Sequence, residues 1–257
     1  MLTAAQEFAA QFLVAARKAG RAGPRIDEPA RPVDVADAIA VQRRAAQLLD
    51  LPVGGWKCSV PTAARAIVAA PIFAPTIHHA SPCPMLIRGA VARIEPEIAF
   101  VMAHDLPARS TPYTEADVQA AIGEARLVLE LIGPRYAEPS TVTYPELLAD
   151  FIANQGLFVG PVVSAPWERN LEEFTIVIHA NGKPLQTVDG KHPDVHPLRP
   201  LVWLADYLAT RGDFLRAGQI VTTGSYAGII DVPIDVPLTF EYGDFGRLAV
   251  TLTRAAP

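Results

Sequence analysis

Arg93-Ile94-Glu95-Pro96-Glu97-Ile98-Ala99-Phe100-Val101 sets two carboxylates two residues apart inside an otherwise apolar, strand-like run. Side chains two apart on a strand share a face, so the spacing predicts Glu95 and Glu97 on the same side of a sheet. Two like charges that close repel, and neither is tolerated in a low-dielectric setting without something positive between them. Two arrangements meet that demand. In the first a divalent cation lies between the acids. Carboxylate oxygens are hard ligands and the run holds no Cys or His, which favours Mg²⁺, Mn²⁺ or Ca²⁺ over zinc or copper. In the second one Glu faces water and the other pairs with Arg93 or Arg88.

Working outward, the chain reads in two parts. Residues 1–51 have helical periodicity: Ala5, Phe8, Ala9, Phe12, Leu13 and Ala16 recur at helical spacing behind a Thr3 cap. A Pro/Arg/Gly-rich turn at 21–32 leads into a second helix over 33–49. Residues 52–257 are punctuated differently. Proline makes up 24 of the 257 residues and clusters between Pro52 and Pro112 and between Pro184 and Pro237, separating short strand-like runs at 93–102, 156–163, 174–180, 219–223, 236–242 and 248–253. Two helices interrupt them. Thr114-Glu115-Ala116-Asp117 opens one that carries Val118, Ile122 and Ala125, and the other runs from about Pro200 through Trp203, Leu204, Tyr207 and Leu208 to Gly212. The expectation is an α+β protein, with a small N-terminal helical region at 1–51 and a β-rich catalytic domain at 52–257.

Half of the residues are apolar, ample for a core, and the formal net charge of −5 offers no cationic footprint for nucleic acid or anionic membrane. The partner expected is a small molecule. Two cysteines, Cys58 and Cys83, form no Cys-x-x-Cys pair or disulfide framework, which with the lack of an apolar span of about 20 residues suggests a cytoplasmic protein. The alanine-rich start is read as an amphipathic helix, not a targeting peptide.

Two Glu side chains rarely complete a hard-cation site, and Glu130 is the best third carboxylate. It is the one acid in the apolar run Leu127-Val128-Leu129-Glu130-Leu131-Ile132, where a bare charge is costly. The alternative for it is a sheet-edge Glu paired with Arg126 or Arg135.

Glu95-x-Glu97 followed by Glu130 resembles the metal triad of the fumarylacetoacetate hydrolase superfamily, in particular its 2-keto-4-pentenoate hydratase / 4-oxalocrotonate decarboxylase branch. The likeness covers almost the whole chain. It includes Gly55-Trp56-Lys57, Asp105-Leu106-Pro107, Leu129-Glu130-Leu131-Ile132-Gly133-Pro134-Arg135, His196-Pro197-Leu198 with Val202-Trp203-Leu204-Ala205, and Ala217-Gly218-Gln219-Ile220-Val221-Thr222-Thr223-Gly224-Ser225. The resemblance implies a mixed β-sandwich-like roll (fumarylacetoacetase C-terminal-like fold), Mg²⁺ or Mn²⁺ on Glu95, Glu97 and Glu130, and a 2-oxo carboxylate substrate. It further implies a homo-oligomer and, as a pathway partner, a decarboxylase or hydratase. The activity implied is a hydro-lyase adding water to a 2-hydroxy-dienoate or 2-oxo-enoate such as 2-keto-4-pentenoate, in aromatic-compound catabolism. The alternatives are a 2-oxo-acid decarboxylase or C–C bond hydrolase on the same scaffold, or a catalytically weak homologue that binds a 2-oxo acid or supports a partner.

Within that resemblance Lys57, expected in an apolar turn after Gly54 and Gly55, is the catalytic proton donor/acceptor or fixed charge. Thr223, Gly224 and Ser225 present N–H and hydroxyl groups to the substrate carboxylate, and His196, with His192, covers the pocket. The chain departs from the family pattern in three places. The Asp-aromatic-Gly step after the lysine is missing at 70–76, which leaves either another group, such as His78 or His79, in its place or a different chemistry. The segment Asp150-Phe151-Ile152-Ala153-Asn154-Gln155-Gly156 is shorter than its counterpart, and Val195 stands before His196 in place of glycine. His104 and His179 are read as surface or core residues, and Cys58 as packing.

Overall fold

The structure, a computed structural model, describes residues 1–63, 67–87, 89–133, 135–166 and 169–255. In chain order its elements are α1 (Ala4–Lys18), α2 (Val35–Leu49), β1 (Val53–Ser59), β2 (Val68–Phe73), β3 (Ile77–His78), β4 (Cys83–Met85), β5 (Val91–Met102), α3 (Glu115–Ala121), β6 (Ile122–Ile132), α4 (Tyr144–Ala149), β7 (Asn154–Val163), β8 (Glu173–Ala180), β9 (Lys183–Lys191), α5 (Leu198–Ala209), β10 (Ile220–Thr222), β11 (Ile230–Pro233), β12 (Pro237–Tyr242) and β13 (Arg247–Arg254). None of the described helices is long and apolar enough to cross a membrane.

β5 organises the larger sheet. One edge pairs with β6, from Arg93 opposite Ile132 to Phe100 opposite Ala125. The other edge is shared by β10, at residues 99–101, and β11, at residues 91–94. Between them the ladder is open, and Pro96 sits in the opening. The N–H and C=O of one strand residue point the same way. The Pro96 carbonyl accepts from the Tyr226 N–H (3.2 Å) and the Ser225 hydroxyl (3.3 Å) on the open side. The donor that proline lacks therefore falls on that side and costs the β6 ladder nothing.

The strands run in the order β2-β1-β10-β5-β6-β7-β3. The two ends, β2 and β3, are joined by only the three residues Ala74–Thr76, so the sheet is forced to roll up. Inside the roll Ile72, Ala99, Val128, Leu157, Val159 and Ile220 form a buried apolar plug. The outer face, with Trp56, Ile94, Ile98, Phe100, Leu127 and Leu129, shares one core with Ile176, Ile178, Leu238, Phe240 and Leu248 of a second sheet, ordered β4-β13-β12-β8-β9. Alternation along β5 and β6 thus puts Ile94, Ile98 and Leu129 outside and Glu95, Glu97 and Glu130 inside. α1 and α2 pack against β2 and α4 through a further cluster of Ala9, Leu13, Val41, Phe73, Leu148 and Phe151.

Several local expectations need correction. The buried face of α1 carries Ala9, Ala10, Leu13 and Val14, while Phe8 is exposed beside Phe12. Small side chains let α1 and α2 pack, so the Phe8 ring is displaced outward while Phe12 packs half-buried against the cluster. The helix opened by Thr114 ends at Ala121, and Ile122 and Ala125 belong to β6, opposite Met102 and Phe100. The chain passes from helix to strand without a loop, so pairing with the long β5 overrides helical spacing. Lys57 lies within β1, between β2 and β10, rather than in a turn. A Cβ at Gly55 would fall 2.1 Å from the Ile220 carbonyl oxygen, so this glycine serves close strand approach. β2 and β9 were not anticipated: β2 is buried on both faces and does not alternate, and β9 is a polar, largely exposed edge.

His192 joins the segment between β9 and α5 to the loop after β10. Its Nδ1 accepts the Asp194 N–H (3.2 Å), its Nε2 lies 3.5 Å from the Thr223 hydroxyl, and its ring packs edge-on against Tyr226. Burial lowers the imidazole pKa to about 4. An unfolded histidine takes its proton near pH 6.5, so this neutral residue's stabilisation is complete above ~6.5 and is lost as pH falls towards 4, by about 3 kcal/mol. Thermal midpoints measured from pH 7 to pH 4 should show the loss, and His192→Gln should flatten it. An identical profile in the variant would count against this assignment.

Candidate metal centre and its cavity

Glu95 and Glu130 stand directly opposite each other in the β5–β6 register, and Glu97 is the next residue on the same face of β5. One carboxylate oxygen from each lies within 4.8 Å of the others. Glu97 and Glu130 are buried. Glu97 accepts the Gly224 N–H at 2.9 Å. Burial first, then the neighbouring Glu130 and Glu95, holds its carboxyl pKa well above the ordinary range. Glu130 Oε1 receives Lys57 Nζ at 2.5 Å and Asn154 Nδ2 at 3.0 Å. Glu130 Oε2 is sealed from solvent and has no hydrogen-bond partner.

These observations test whether the residues suit a cation. A buried carboxylate oxygen with no donor, beside two more carboxylates, is unfavourable unless a positive charge reaches it. With all three carboxylates ionised, as a cation beside them favours, the one ammonium leaves two negative charges unbalanced, the charge of one divalent ion. An all-oxygen set suits Mg²⁺ or Mn²⁺, so the residues fit the ion that the sequence suggested. The arginines offered as alternative partners are engaged elsewhere: Arg93 with Asp231, Arg126 with Glu124, and Arg135 with Asp150. Arg88 lies outside the described residues.

Lys57 reaches Glu130 because the sheet is rolled. β1 and β6 are three strand spacings apart, about 14 Å on a flat sheet at ~4.8 Å per spacing, yet the two side chains touch. Burial opposes the lysine charge and is the largest single influence. The fields of Glu130, Glu95 and Glu97, with the hydrogen bond to Glu130, together outweigh it and hold the ammonium pKa above its usual value.

Asn154 was not singled out from the sequence, although its segment was. Phe151, Ile152 and Ala153 form a left-handed turn with φ of 53°, 54° and 57°, an arrangement that costs ~1–2 kcal/mol per non-glycine residue. Asp150 braces it by accepting the Arg135 backbone N–H (3.0 Å) and Nε (2.8 Å). The Asn154 carbonyl accepts from Arg135 Nη2 (2.8 Å) and Arg17 Nη1 (3.0 Å). The turn brings the Ile152 carbonyl to 3.4 Å from Lys57 Nζ and aims the Asn154 amide at Glu130. Only a check for local strain around a short polar segment could have flagged it.

The acids open into a cavity of about 320 Å³. Its described lining includes Lys57, Ser59, the three glutamates, Thr222, Gly224 and Ser225, and also Val68, Ile132, Leu147, Ile152 and Ile229. Thr223, His196, His78 and His79 are not among the described lining residues. Thr223 turns its hydroxyl to His192, and His196 Nδ1 accepts the Leu198 N–H at the start of α5 (3.3 Å). The Gly224 N–H, expected to face substrate, donates to Glu97. Gly224 has φ +127°, and a Cβ there would meet Pro193 at 2.8 Å. Cys58 is buried in the outer core, as expected of a packing residue. A second cavity of similar volume lies between α2, β1 and α5 around Trp56, away from the carboxylates.

Comparison with known proteins follows the same line. No family model matches the chain. It is 30% identical over 167 residues to the 2-oxo-hept-4-ene-1,7-dioate hydratase of Escherichia coli, a match covering 63% of this chain and 62% of that protein. It is also 30% identical over 146 residues to the 2-keto-4-pentenoate hydratase of Paraburkholderia xenovorans, covering 56% and 53%. The chain thus spans less than two thirds of the length of these curated relatives. Among solved structures, the 4-oxalocrotonate decarboxylase from Pseudomonas putida G7, complexed with magnesium and adipate, shares the fold with a TM-score of 0.78 over 98% of this chain and 99% of that one, at 21% identity. A yeast fumarylacetoacetate hydrolase family protein follows with a TM-score of 0.53 at 15% identity, over 79% and 94%. The fumarylpyruvate hydrolase from Pseudomonas aeruginosa, in complex with Mn²⁺ and pyruvate, gives 0.54 at 14% identity, over 78% and 89%. In sequence the chain is similar to hydratases of the 2-keto-4-pentenoate hydratase / 4-oxalocrotonate decarboxylase group, and it shares the fold of the fumarylacetoacetate hydrolase family proteins.

Proposed function

We propose that this protein is a divalent-cation-dependent hydro-lyase that adds water to a 2-hydroxy-dienoate or 2-oxo-enoate acid such as 2-keto-4-pentenoate, of the kind formed when aromatic rings are broken down. The observation that carries the reading is the cluster of Glu95 with the buried Glu97 and Glu130, with the Lys57 ammonium on one of its carboxylates. A divalent cation bound there would polarise and orient the keto and carboxylate oxygens of a 2-oxo acid.

The chain's own residues supply the rest. Glu97 is aimed by the Gly224 N–H and Glu130 by the Asn154 amide, so both acids are set before substrate arrives. Lys57, held as an ammonium, is a proton donor to the substrate's dienol carbon chain and a fixed positive charge beside the enolate form. The rolled sheet keeps this chemistry in a confined cavity, with Ser59 and Ser225 as neutral polar neighbours. The hydratase names of the sequence relatives favour water addition over decarboxylation, which the same carboxylates would also serve.

Purified protein with 2-hydroxypenta-2,4-dienoate should lose the dienol absorbance and form a 4-hydroxy-2-oxo acid only with Mg²⁺ or Mn²⁺ present, and EDTA should stop it. Glu97→Gln should lower kcat/KM by about a hundredfold or more. Release of CO₂ from a 2-oxo-enedioate in place of hydration would identify a decarboxylase, and no turnover with cation bound would identify a binding protein.

Lys57→Met should lower kcat about a hundredfold. Calorimetry should find cation affinity unchanged or raised, because the ammonium competes with the ion for Glu130. A clear loss of cation affinity in this variant would sink the catalytic role of Lys57.

A further inference from the structure

The cavity at the glutamates has two unlike ends. Along the inner face of β5 and β6 the cross-strand pairs run Glu97 with Val128, Glu95 with Glu130, and Arg93 with Ile132. One rank beyond the acids, the described floor of the cavity is Ile132. The same cavity is lined by Val68 from β2, which stands opposite Ser59, by Leu147 from α4, by Ile152 from the left-handed turn and by Ile229 from the loop before β11, the last 47% exposed. Five branched aliphatic side chains from five separate segments line the cavity, so its apolar character is not a by-product of one strand's alternation. Among the described lining residues the only cation is Lys57, committed to Glu130. Arg93, at the rank of Ile132, is held by Asp231 at 3.1 Å.

We infer that this end receives the far carbon of the substrate and that the chain selects 2-hydroxy-dienoates ending in hydrogen or an alkyl group over those ending in a second carboxylate. The inference rests on the hydratase reading and deepens it. The relatives divide on this point, one being a dioate hydratase and another a pentenoate hydratase. A methylene entering such an apolar end adds about three- to fourfold in kcat/KM. A carboxylate entering it gives up its hydration without gaining a free cation from the described lining residues, and is rejected more strongly than a methylene is welcomed.

The test compares kcat/KM of the cation-loaded wild-type protein for 2-hydroxypenta-2,4-dienoate, 2-hydroxyhexa-2,4-dienoate and 2-hydroxyhepta-2,4-diene-1,7-dioate. The hexadienoate should match or exceed the pentadienoate by up to about fourfold, and the dioate should fall below both by about a hundredfold. In Ile229→Arg and Leu147→Arg the ratio of dioate to hexadienoate should rise by at least about tenfold. A wild-type protein that prefers the dioate overturns the inference and leaves the hydratase reading standing. If no dienoate is turned over, the hydratase reading is what fails. Calorimetry with 2-oxohexanoate and 2-oxoadipate in the presence of Mg²⁺ then decides the tail preference, tighter binding of 2-oxoadipate overturning it.

Discussion

The contact between Lys57 and Glu130 organises much of what surrounds it. A carboxylate at the centre of an apolar strand is tolerated only if something positive reaches it, and the cation that does so is carried three strands away. The pair forms because β2 and β3, the ends of the larger sheet, are tied by three residues. Closure of the roll and compensation of the buried charge are therefore one event. Lys57 alone cannot balance three acids, and the remaining two negative charges define the place for a divalent ion.

The same economy appears at Pro96. A proline in the middle of a central strand ordinarily argues against that strand, yet here it stands where the partner edge passes from β10 to β11 and no ladder bond is needed. The opening lets residues 223–229 bend in over β5. Tyr226 and Ser225 bind the Pro96 carbonyl, and Gly224 turns its N–H onto Glu97. A break in regular hydrogen bonding thereby becomes the means of aiming an acid, with His192 and Tyr226 bracing the loop from behind.

The left-handed turn at Phe151–Ala153 is the strained counterpart of that loop. Its unfavourable backbone is offset by the Asp150–Arg135 pair and by two arginine donors on the Asn154 carbonyl. One of these, Arg17, comes from α1, so the N-terminal helix helps to shape the far wall of the cavity. The turn delivers two unlike groups, the Asn154 amide at Glu130 and the Ile152 side chain at the apolar end.

The three acids, the strand that carries Glu95 and Glu97, and the α+β class were legible in the residue order, because alternation and the cost of a bare charge in an apolar run are local properties. Family resemblance added Lys57 to them. Helix ends and the faces of α1 were less legible, since Phe8 and Ile122 obey helical spacing that packing and strand pairing overrule. Residue order also said little of Asn154, of the left-handed turn or of where the Gly224 N–H points, for these depend on groups far apart in the chain meeting across a closed sheet. The sequence by itself determined which charges had to be compensated. Only the tertiary structure decided what compensates them, because rolling the sheet brings β1 to β6 and sets aliphatic side chains in the same cavity as the acids.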